Sequence, residues 1–482
     1  MLVILRMVVP VQIFVPPIFP FENLTFEGGG AKGYAYLGAL QSLEHEGIYP
    51  NQIRRVAGTS VGSLFAVLTS LGCPTDYMLS IVPKDFQGLA KDGTGGRLRS
   101  YLRVARTRGM HPGQRLYDFL GQILREKAGN SDITFTQLHA QFGRELCIPI
   151  TNVTRMMTEY CHLKTTPDLP IRMAARMSMS LPVLLEPVAM AARPHLGGES
   201  VIEDIYVDGG LLCNNPVHVF DGWWLSLRRE DSFFRRVKPL STASEHYPRA
   251  ARFSPPNDKT LGFTLFAASE SDITRTWVSD HVALPPRPPT PAARRIADEE
   301  ESRRLLGARN EPIQRLINTL DEADFNSDSR INIVELERAI EECGISIEEL
   351  QAVFGVADVK EIFGSIDQDD DGNIDFTEVL NFLESIGVDV TTQLIGFPAR
   401  PTKSILDFAL NMFEAVNRDL TRANFRAQDR QRTAPINTDY VGTTTFDLEK
   451  EDFSFLVETG RRHVQGFLDE YRRRQQGNQT VQ

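Results

Sequence analysis

Two glycine-rich stretches near the N-terminus have the residue types and spacing of a candidate anion-binding or catalytic site. In "NLTFEGGGAKGYAYLGAL", residues 23–40, a short apolar run leads through glycines into the start of a predicted helix. Such a turn points several backbone N–H groups at one spot, which suits either a dinucleotide pyrophosphate or the oxyanion of an acyl-transfer reaction. Gly28, Gly30 and Gly33 fit the pattern G-x-G-x-x-G, and this spacing alone leaves both chemistries open.

The second stretch decides between these two chemistries. A dinucleotide site needs an acidic residue at the end of the second strand, where it binds a ribose hydroxyl. Here that strand, "IRRVAG", ends in "GTSVG", in which Ser60 stands between Gly58 and Gly62. A serine on a tight strand-to-helix turn is typical of a nucleophile elbow, where only glycine lets the neighbouring backbone pass closely. A chance match to G-x-S-x-G is the alternative, and the glycine run upstream favours a nucleophilic Ser60.

A serine nucleophile needs a base, and the best candidate is Asp208 in "IYVDGGLLCNNPV", residues 205–217. None of the nine histidines is marked out by a glycine- or turn-rich loop after a strand. Asp208 ends an apolar run and precedes Gly209 and Gly210, which predicts a carboxylate at the carboxyl edge of a parallel sheet, where ligands bind. The alternative is an ordinary Asp-Gly-Gly turn. To act as a base for a hydroxyl, Asp208 needs a pKa raised by partial desolvation.

In this order, the glycine loop, G-x-S-x-G and D-G-G resemble the patatin-like phospholipase family, over at least residues 23–216. "AARMSMSLPVLLEPV" (174–188), "TLGFTLF" (260–266) and the C-terminal "YVGTTTFDLEKEDFSFLVETGRRHVQGFL" resemble further segments of that family. The resemblance implies an α/β, three-layer fold with a mostly parallel sheet, and a Ser60–Asp208 dyad that uses no histidine. It also implies that the glycine loop is an oxyanion hole. The backbone N–H groups expected to form this hole are those of Gly28, Gly29, Gly30 and Ala31.

An acidic block in the second half of the chain predicts calcium binding. Residues 298–389 contain 25 acidic and 7 basic residues, a net charge of −18 in a chain whose net charge is −11. In "DFNSDSRINIVE" (324–335) and "DQDDDGNIDFTE" (367–378), oxygen-bearing side chains recur at positions 1, 3, 5, 9 and 12, the spacing that wraps a loop around Ca²⁺. The two loops and their flanking helices resemble an EF-hand pair. The predicted metal-binding positions are Asp324, Asn326, Asp328, Arg330, Asn332 and Glu335 in the first loop, and Asp367, Asp369, Asp371, Asn373, Asp375 and Glu378 in the second.

The two loops are not equivalent. Gly372 occupies the sharp turn of the second loop, where the first has Ser329, so we expect the first to bind calcium more weakly or to hold magnesium at rest. Ile331 and Ile374 occupy the eighth positions, where paired loops form a short β-bridge. Because family-like sequence resumes after residue 395, the pair looks inserted into the catalytic domain. Calcium is then expected to act on the active-site mouth or on lipid contact, and a purely structural or buffering pair is the alternative.

These motifs must be positioned by a chain long enough for two or three units. Apolar runs alternate with helical stretches over about residues 22–220, which indicates an α/β fold with a largely parallel sheet. The predicted units are an apolar segment at 1–21, the first part of the catalytic domain at 22–283 (core motifs at 23–220), a proline-rich and charged linker at 284–310, EF-hand 1 at 311–346, EF-hand 2 at 354–389, and a C-terminal helical part at 395–482 that completes the catalytic domain.

Several features bear on location and membrane contact. Five scattered cysteines without a CxxC pair fit a reducing compartment. The first twenty residues are apolar but lack a small-residue cleavage site, which favours an uncleaved, packed or membrane-seeking segment over a signal peptide. No later apolar stretch is long enough to predict a spanning helix. Candidate lipid contacts are the apolar segment, Trp223–Trp224 and the basic "YRRRQQ", and Lys32 is expected either to favour a phospholipid head group or to face solvent.

Together these features predict a cytoplasmic, peripherally membrane-associated lipid acyl hydrolase that binds calcium as its cofactor. It is expected to cleave a glycerolipid ester at a membrane or droplet surface through an acyl-enzyme on Ser60. One alternative is a neutral-lipid or lysophospholipid esterase with the same dyad. The other is a calcium-sensing membrane adaptor without catalytic activity. No nucleic-acid partner is expected.

Overall fold

The structure is a computed structural model, and it describes most of the chain. The described residues are 19–82, 88–89, 92–93, 103–191, 203–236, 240–268, 282–298, 330–344, 346–385, 402–445 and 447–480. Most of the predicted N-terminal segment, much of the predicted linker and the first six positions of the first calcium loop therefore lie outside the described residues. Among the described residues, no helix has the length and apolar character needed to cross a membrane.

A mostly parallel sheet of eight strands forms the centre of the fold, which confirms the predicted α/β class. The strands are β1 (Asn23–Phe26), β2 (Arg55–Gly58), β3 (Gly109–His111), β4 (Glu145–Asn152), β5 (Met157–His162), β6 (Val183–Leu185), β7 (Val188–Ala191), β8 (Glu203–Val207), β9 (Thr260–Phe266) and β10 (Thr433–Asn437). The sheet order is β10-β9-β1-β2-β4-β8-β7, with β5 paired to β4. The first five of these strands are mutually parallel, whereas β5, β7 and β8 pair antiparallel. β3 and β6 form a separate parallel pair.

Helices surround this sheet and continue into the acidic block. Those with defined bounds are α1 (Ala35–His45), α2 (Val61–Ser70), α3 (Thr75–Ile81), α4 (Gln114–Ala128), α5 (Phe135–Phe142), α6 (Ile171–Ser178), α7 (Gly210–Cys213), α8 (Phe233–Arg236), α9 (Ala243–His246), α10 (Arg249–Arg252), α11 (Ile333–Cys343), α12 (Ile347–Phe354), α13 (Val359–Ile366), α14 (Phe376–Ser385), α15 (Ile405–Asn424) and α16 (Lys450–Thr480). Short 3₁₀ turns occur at Gly30–Tyr34, Arg229–Asp231, Leu240–Thr242 and Ala427–Arg432.

Both faces of the sheet are covered, as a parallel sheet requires. Successive side chains of a strand point to opposite faces, so neighbouring residues of β2 and β4 belong to different clusters. Val56 and Ile148 join the larger core, which includes residues of α1, α2 and α16. Ala57 and Cys147 join a second cluster with Phe253 and other residues of 213–253. This arrangement gives the sheet a packed layer on each side.

The C-terminal part of the chain is integral to this domain. β10 extends the sheet beside β9, and α16 packs across α1 so closely that a Cβ on Gly38 would lie 1.7 Å from the carbonyl oxygen of Val457. Arg432, which precedes β10, is buried and donates from both terminal nitrogens to the two carboxylate oxygens of Asp221 at 2.6 Å. Asp429 accepts a further bond from the same guanidinium. This ion-pair network fastens residues on both sides of the acidic block to each other.

Three segments that the sequence suggested as a linker or as lipid contacts have residues packed against the folded domain. In the proline-rich stretch, Arg287 pairs with Asp439 at 2.6 Å and Thr290 is buried, so this part is held on the catalytic body and is not a free spacer. Trp223 is only 4% exposed and its Nε1 donates to a backbone carbonyl, which removes it as a lipid contact. In "YRRRQQ", Tyr471 packs against Phe19 and Phe21 at the end of the N-terminal segment.

Candidate active site

Ser60 lies on the turn between β2 and α2 in a strained backbone conformation. Its φ is +52°, a region that costs a residue with a side chain about 1 to 3 kcal/mol. The flanking glycines make the turn possible, because a Cβ on Gly58 would lie 2.0 Å from the carbonyl oxygen of Gly62. A Cβ on Gly62 would lie 2.4 Å from the carbonyl oxygen of Phe26, and one on Gly33 would lie 2.9 Å from the side chain of Val61. Gly58 and Gly62 are therefore required by backbone contacts around the serine, and Gly33 by close packing against a side chain of α2.

The structure brings Ser60 and Asp208 together across 148 residues of sequence. Ser60 Oγ donates to Asp208 Oδ2 at 2.7 Å, and the backbone N–H of Gly210 donates to Asp208 Oδ1 at 2.8 Å. Asp208 is almost fully buried, and this desolvation raises the pKa of its carboxyl from 3.8 to about 7, although both hydrogen bonds act in the opposite direction. A carboxylate with this pKa is a far better proton acceptor at neutral pH than an exposed aspartate. The hydrogen bond and the raised pKa together suit Asp208 to the role of base.

Asp208 reaches the serine by a different route from the predicted one. β8 runs antiparallel to β4, not parallel, with Val207 opposite Thr151. β2 is parallel to β4, with Ala57 opposite Cys147, so position 60 falls opposite residue 150 of β4. In the antiparallel register of β8, position 208 also falls opposite residue 150. Gly209 is required there, because its Cβ would lie 2.2 Å from the carbonyl oxygen of Pro149. β4 continues past the level of Ser60, and β8 then runs back in the opposite direction, so that Asp208 at its end lies at the level of Ser60.

Two serines of the segment 174–188 hold the dyad in place, a role that the sequence did not reveal. Ser178 Oγ accepts from the backbone N–H of Ser60 at 3.0 Å and donates to the carbonyl oxygen of Pro149 at 2.7 Å. The carbonyl oxygen of Ser180 accepts from the backbone N–H of Asp208 at 2.9 Å. The spacing S-x-S in this segment was the available signal. Both serines act on the dyad through its backbone and are positioning residues.

The glycine loop offers fewer oxyanion donors than predicted. The N–H of Gly28 donates to the carbonyl oxygen of Asn214 and the N–H of Ala31 to that of Thr443, both at 3.1 Å. Those two groups are therefore committed to the fold, which corrects the expectation for Gly28 and Ala31. In the described part of the chain, the N–H groups of Gly29 and Gly30 have no protein acceptor, and both residues line the cleft that contains Ser60. The candidate oxyanion hole is thus confined to Gly29 and Gly30.

Two buried charged residues, Glu27 and Lys32, lie beside the glycine loop. The sequence analysis did not consider Glu27, and it allowed Lys32 to face solvent. Glu27 accepts from the side-chain amide of Asn214 and the backbone N–H of Leu265, each at 3.0 Å, and burial raises the pKa of its carboxyl to about 6. Lys32 is only 4% exposed and donates to the carbonyl oxygen of Leu265 at 3.1 Å. The expectation of a solvent-facing Lys32 is therefore wrong. Its charge lies beside Glu27 under the glycine loop, and the side chain still lines the cleft.

Helix α15 covers the site from the far end of the sequence. Phe413, Asn417, Arg418 and Thr421 line the same cleft as Ser60, and the cleft encloses about 100 Å³. The helix starts with a capping box, in which Ser404 Oγ accepts from the N–H of the third helical residue. The sequence predicted a helical C-terminal part at 395–482, but nothing in it indicated that a helix there would lie over the serine.

The acidic block has the local geometry of the predicted second loop. Oxygens of Asp367, Asp369 and Asp371 lie within 4.8 Å of one another, and Asp367 Oδ1 is buried without a protein partner. Gly372 has the left-handed φ of +81° expected at the sharp turn. Glu378 folds back over the loop, where its Oε1 accepts from the N–H of Gln368 at 2.7 Å. Three convergent carboxylates with an orphaned buried oxygen are a donor set that fits a hard divalent cation.

The first loop is described only from its seventh position onward. Ile331 pairs with Ile374 in a two-bond antiparallel bridge, as predicted for the eighth positions. Asn332 and Glu335 form the capping box of α11. Arg330 reaches across to Asp371, with its Nη1 2.9 Å from the carboxylate. The candidate ligands Asp324, Asn326 and Asp328 lie outside the described residues.

Known proteins resemble the part of the chain that contains Ser60 and Asp208. Residues 24–221 match the family model described as patatin-like phospholipase. An uncharacterised protein of Acanthamoeba polyphaga mimivirus is 31% identical over 201 residues, which are 42% of this chain and 61% of the viral protein. A protein of Invertebrate iridescent virus 6, described as a probable lipid hydrolase, is 26% identical over 200 residues, 41% of this chain and 63% of its own length. The matched region thus spans less than two thirds of these relatives.

Solved structures show more distant likeness. VipD from Legionella pneumophila aligns over 95% of this chain and 68% of its own, with 15% sequence identity and a TM-score of 0.40. ExoU from the type III secretion system of Pseudomonas aeruginosa, solved in complex with SpcU, aligns over 83% of this chain with 16% identity and a TM-score of 0.25. Residues 24–221 thus carry a patatin-like phospholipase domain, and the central sheet observed in the structure is mostly parallel.

Proposed function

We propose, from the patatin-like phospholipase domain that residues 24–221 carry, that the protein is a calcium-binding lipid acyl hydrolase with a Ser60–Asp208 dyad. Asp208 takes the proton of Ser60 Oγ as that oxygen attacks the ester carbonyl. The N–H groups of Gly29 and Gly30 stabilise the oxyanion, and one such donor contributes about 3 to 4 kcal/mol to lowering the barrier. Asp208 gives this proton to the departing alkoxide, so the alcohol leaves and an acyl-enzyme remains on Ser60. Water then attacks the acyl-enzyme with Asp208 as the base, and Asp208 returns the proton to Ser60 Oγ as the fatty acid leaves.

The hydrogen bond from Ser60 to the buried Asp208 carries this proposal. A strained serine, a base whose pKa lies near 7 and two N–H groups without protein acceptors meet in one cleft. A structural role for the Asp-Gly-Gly turn would need neither the burial of the carboxylate nor its bond to the serine. Strain and a desolvated charge both cost stability, and such costs concentrate at functional sites. The arrangement therefore favours an enzyme over an adaptor that keeps only the fold.

Fatty-acid release tests the activity and its substrate class. The protein and its Ser60→Ala variant are incubated with vesicles of phosphatidylcholine, vesicles of lysophosphatidylcholine and an emulsion of triacylglycerol. The matched control is Ser70→Ala, which removes a buried serine hydroxyl at the end of α2, the helix that follows Ser60. Release from phosphatidylcholine that needs Ser60 but not Ser70 supports a phospholipase. Ser60-dependent release from one of the other lipids alone selects the esterase alternative, and no Ser60-dependent release selects the adaptor.

The same proposal includes calcium as a bound cofactor of the acidic block. The supporting observation is the buried, unpartnered Asp367 Oδ1 beside Asp369 and Asp371, which a cation would satisfy. Glu378, at the twelfth position of this loop, is nearby and already turned toward it. When bound, calcium would supply positive charge to these carboxylates and fix the angle between the helices on either side of the loop. The charge of Arg330 beside Asp371 is expected to oppose binding until that side chain moves away.

Calorimetric titration with calcium tests this part separately from activity. Asp367→Asn is expected to abolish the tighter of two binding events and to leave the Ser60-dependent release of fatty acid in the absence of calcium unchanged. Asp370→Asn is the matched control, because Asp370 lies in the same loop but is not at a ligand position and its left-handed φ of +56° suits asparagine. Unchanged binding in Asp367→Asn, or equal loss in both variants, contradicts a calcium site centred on Asp367.

A further inference from the structure

We infer that helix α15 is the surface through which the protein docks onto lipid, and that it docks with the face opposite the one lining the candidate active site. The docking face, here called the apolar stripe, consists of Ile405, Phe408, Met412 and Val416. The inference rests on the proposed function, because it takes the cleft beneath α15 to process a lipid ester.

The apolar stripe is an unusual outer face for a helix of a folded domain. Its four residues are 59%, 56%, 57% and 38% exposed, in the order Ile405, Phe408, Met412 and Val416. Their spacing of three, four and four residues keeps them on one side of a helix with 3.6 residues per turn. The first charged residue on that side is Asp419, one turn further on. A contiguous apolar surface with a polar rim marks an interaction site.

The other side of α15 belongs to the candidate active site. Phe413, Asn417 and Thr421 line the cleft with Ser60, and their spacing of four residues puts them on the side of the helix facing away from the apolar stripe. Phe413 is 8% exposed, in contrast to its neighbour Met412. One helix therefore has an inner face on the catalytic serine and an outer face of bare apolar side chains.

The chemistry of both faces points to a lipid surface as the occupant. The cleft encloses about 100 Å³, whereas sites that enclose a ligand of drug size have about 300 to 1,000 Å³. A cleft of this size cannot enclose a whole lipid, so the ester is expected to reach Ser60 from a lipid surface that lies against this part of the protein. An amphipathic helix lying in the interface buries its apolar face among acyl chains. Lys403, exposed just before the stripe, supplies a cation for anionic head groups at that depth.

Vesicle flotation tests the inference without relying on catalysis. The full chain and its Phe408→Ser/Met412→Ser variant are floated with vesicles of equal parts phosphatidylcholine and phosphatidylserine. Losing two half-buried apolar side chains from the interface is expected to weaken partitioning between about tenfold and a hundredfold. The matched control is Phe234→Ser on α8, which removes an aromatic side chain that is 80% exposed on another element, and it is expected to partition as the wild type does.

Two outcomes would overturn the inference: unchanged flotation of the stripe variant, and an equal loss of flotation in the Phe234→Ser control. If flotation is unchanged and sedimentation shows that the stripe variant breaks a wild-type dimer, the apolar stripe is a dimer interface and not a lipid-docking face. Hydrolysis of a soluble short-chain p-nitrophenyl ester is measured in parallel and is expected to be the same in the stripe variant and the wild type. If neither hydrolyses the ester, the proposed function fails, and the flotation result still decides whether α15 docks onto lipid.

Discussion

Replacing Asp208 by asparagine should stop catalysis and at the same time stabilise the fold. The substitution keeps the shape of the side chain and its acceptor for the N–H of Gly210, which now lies 2.8 Å from Oδ1. It removes the negative charge that burial makes unfavourable. Asparagine has no basic oxygen for the proton of Ser60, so ester hydrolysis should fall to the level of Ser60→Ala.

The size and the sign of the stability effect follow from the pKa of Asp208. Burial raises that pKa from 3.8 in the ordinary state to about 7 in the fold. Between these values the folded protein holds a proton that the unfolded chain has lost, so the contribution of Asp208 to stability falls as pH rises through this window. Above pH 7 the full cost of the buried charge is present. The difference between a pKa of 3.8 and one of about 7 corresponds to a cost of about 4 kcal/mol. Below pH 3.8 the carboxyl is neutral in both states and that cost disappears.

Urea unfolding of the wild type and Asp208→Asn between about pH 4 and pH 8 measures this effect. The variant is expected to gain stability relative to the wild type across that range, by up to about 4 kcal/mol. Asp204→Asn is the matched control on the same strand, because Asp204 pairs with Arg155 at 3.0 Å. Its loss removes a favourable ion pair, so this variant is expected to be no more stable than the wild type at pH 8.

Two results would refute the reasoning. A stability difference between wild type and Asp208→Asn that does not change with pH would mean that Asp208 carries no raised pKa. Ester hydrolysis retained in Asp208→Asn would mean that another group takes the proton of Ser60. In the wild type, kcat/KM for a soluble ester is expected to rise with pH and level off above about pH 7, where Asp208 is ionised.

Three further substitutions test other parts of the site. Gly30→Ala puts a Cβ 2.1 Å from a backbone carbonyl oxygen at a φ of +53°, so hydrolysis should fall at least a hundredfold, and unchanged hydrolysis would exclude Gly30 from the oxyanion hole. Ser178→Ala leaves the N–H of Ser60 without its acceptor at 3.0 Å and should lower kcat about tenfold at unchanged KM, whereas a change in KM alone would assign Ser178 to substrate binding. Arg432→Met leaves Asp221 buried without its partner and should cost about 3 to 5 kcal/mol in urea unfolding, against less than 1 for the exposed Arg473→Met.

Much of the candidate site was predictable because its requirements are local. The tight turn at Ser60 needs glycine on both sides because of its own backbone geometry, whatever the rest of the fold is. Gly58 and Gly62 therefore identify this turn from the sequence alone. The same holds for the second of the predicted calcium loops, where Gly372 and the carboxylate spacing are set by twelve consecutive residues. The pairing of Ile331 with Ile374 was predictable for the same reason.

Other features depend on which segments come together. The N–H groups of Gly28 and Ala31 look equivalent to those of their neighbours in sequence, and only their partners Asn214 and Thr443 remove them from the oxyanion hole. Lys32 is a surface residue by type, yet it is buried because β9 passes beside the glycine loop.

The sequence by itself indicated Ser60 as the candidate nucleophile, Asp208 as its candidate base and the family that the domain resembles, since each is encoded in a few adjacent residues whose backbone geometry allows little choice. Only the tertiary structure decided that β8 runs antiparallel to β4, that burial brings the pKa of Asp208 to about 7, and that α15 covers the cleft. These properties arise from contacts between segments that are distant from one another in the sequence. Desolvation and strand direction belong to the packed assembly, and no short stretch of the chain contains them.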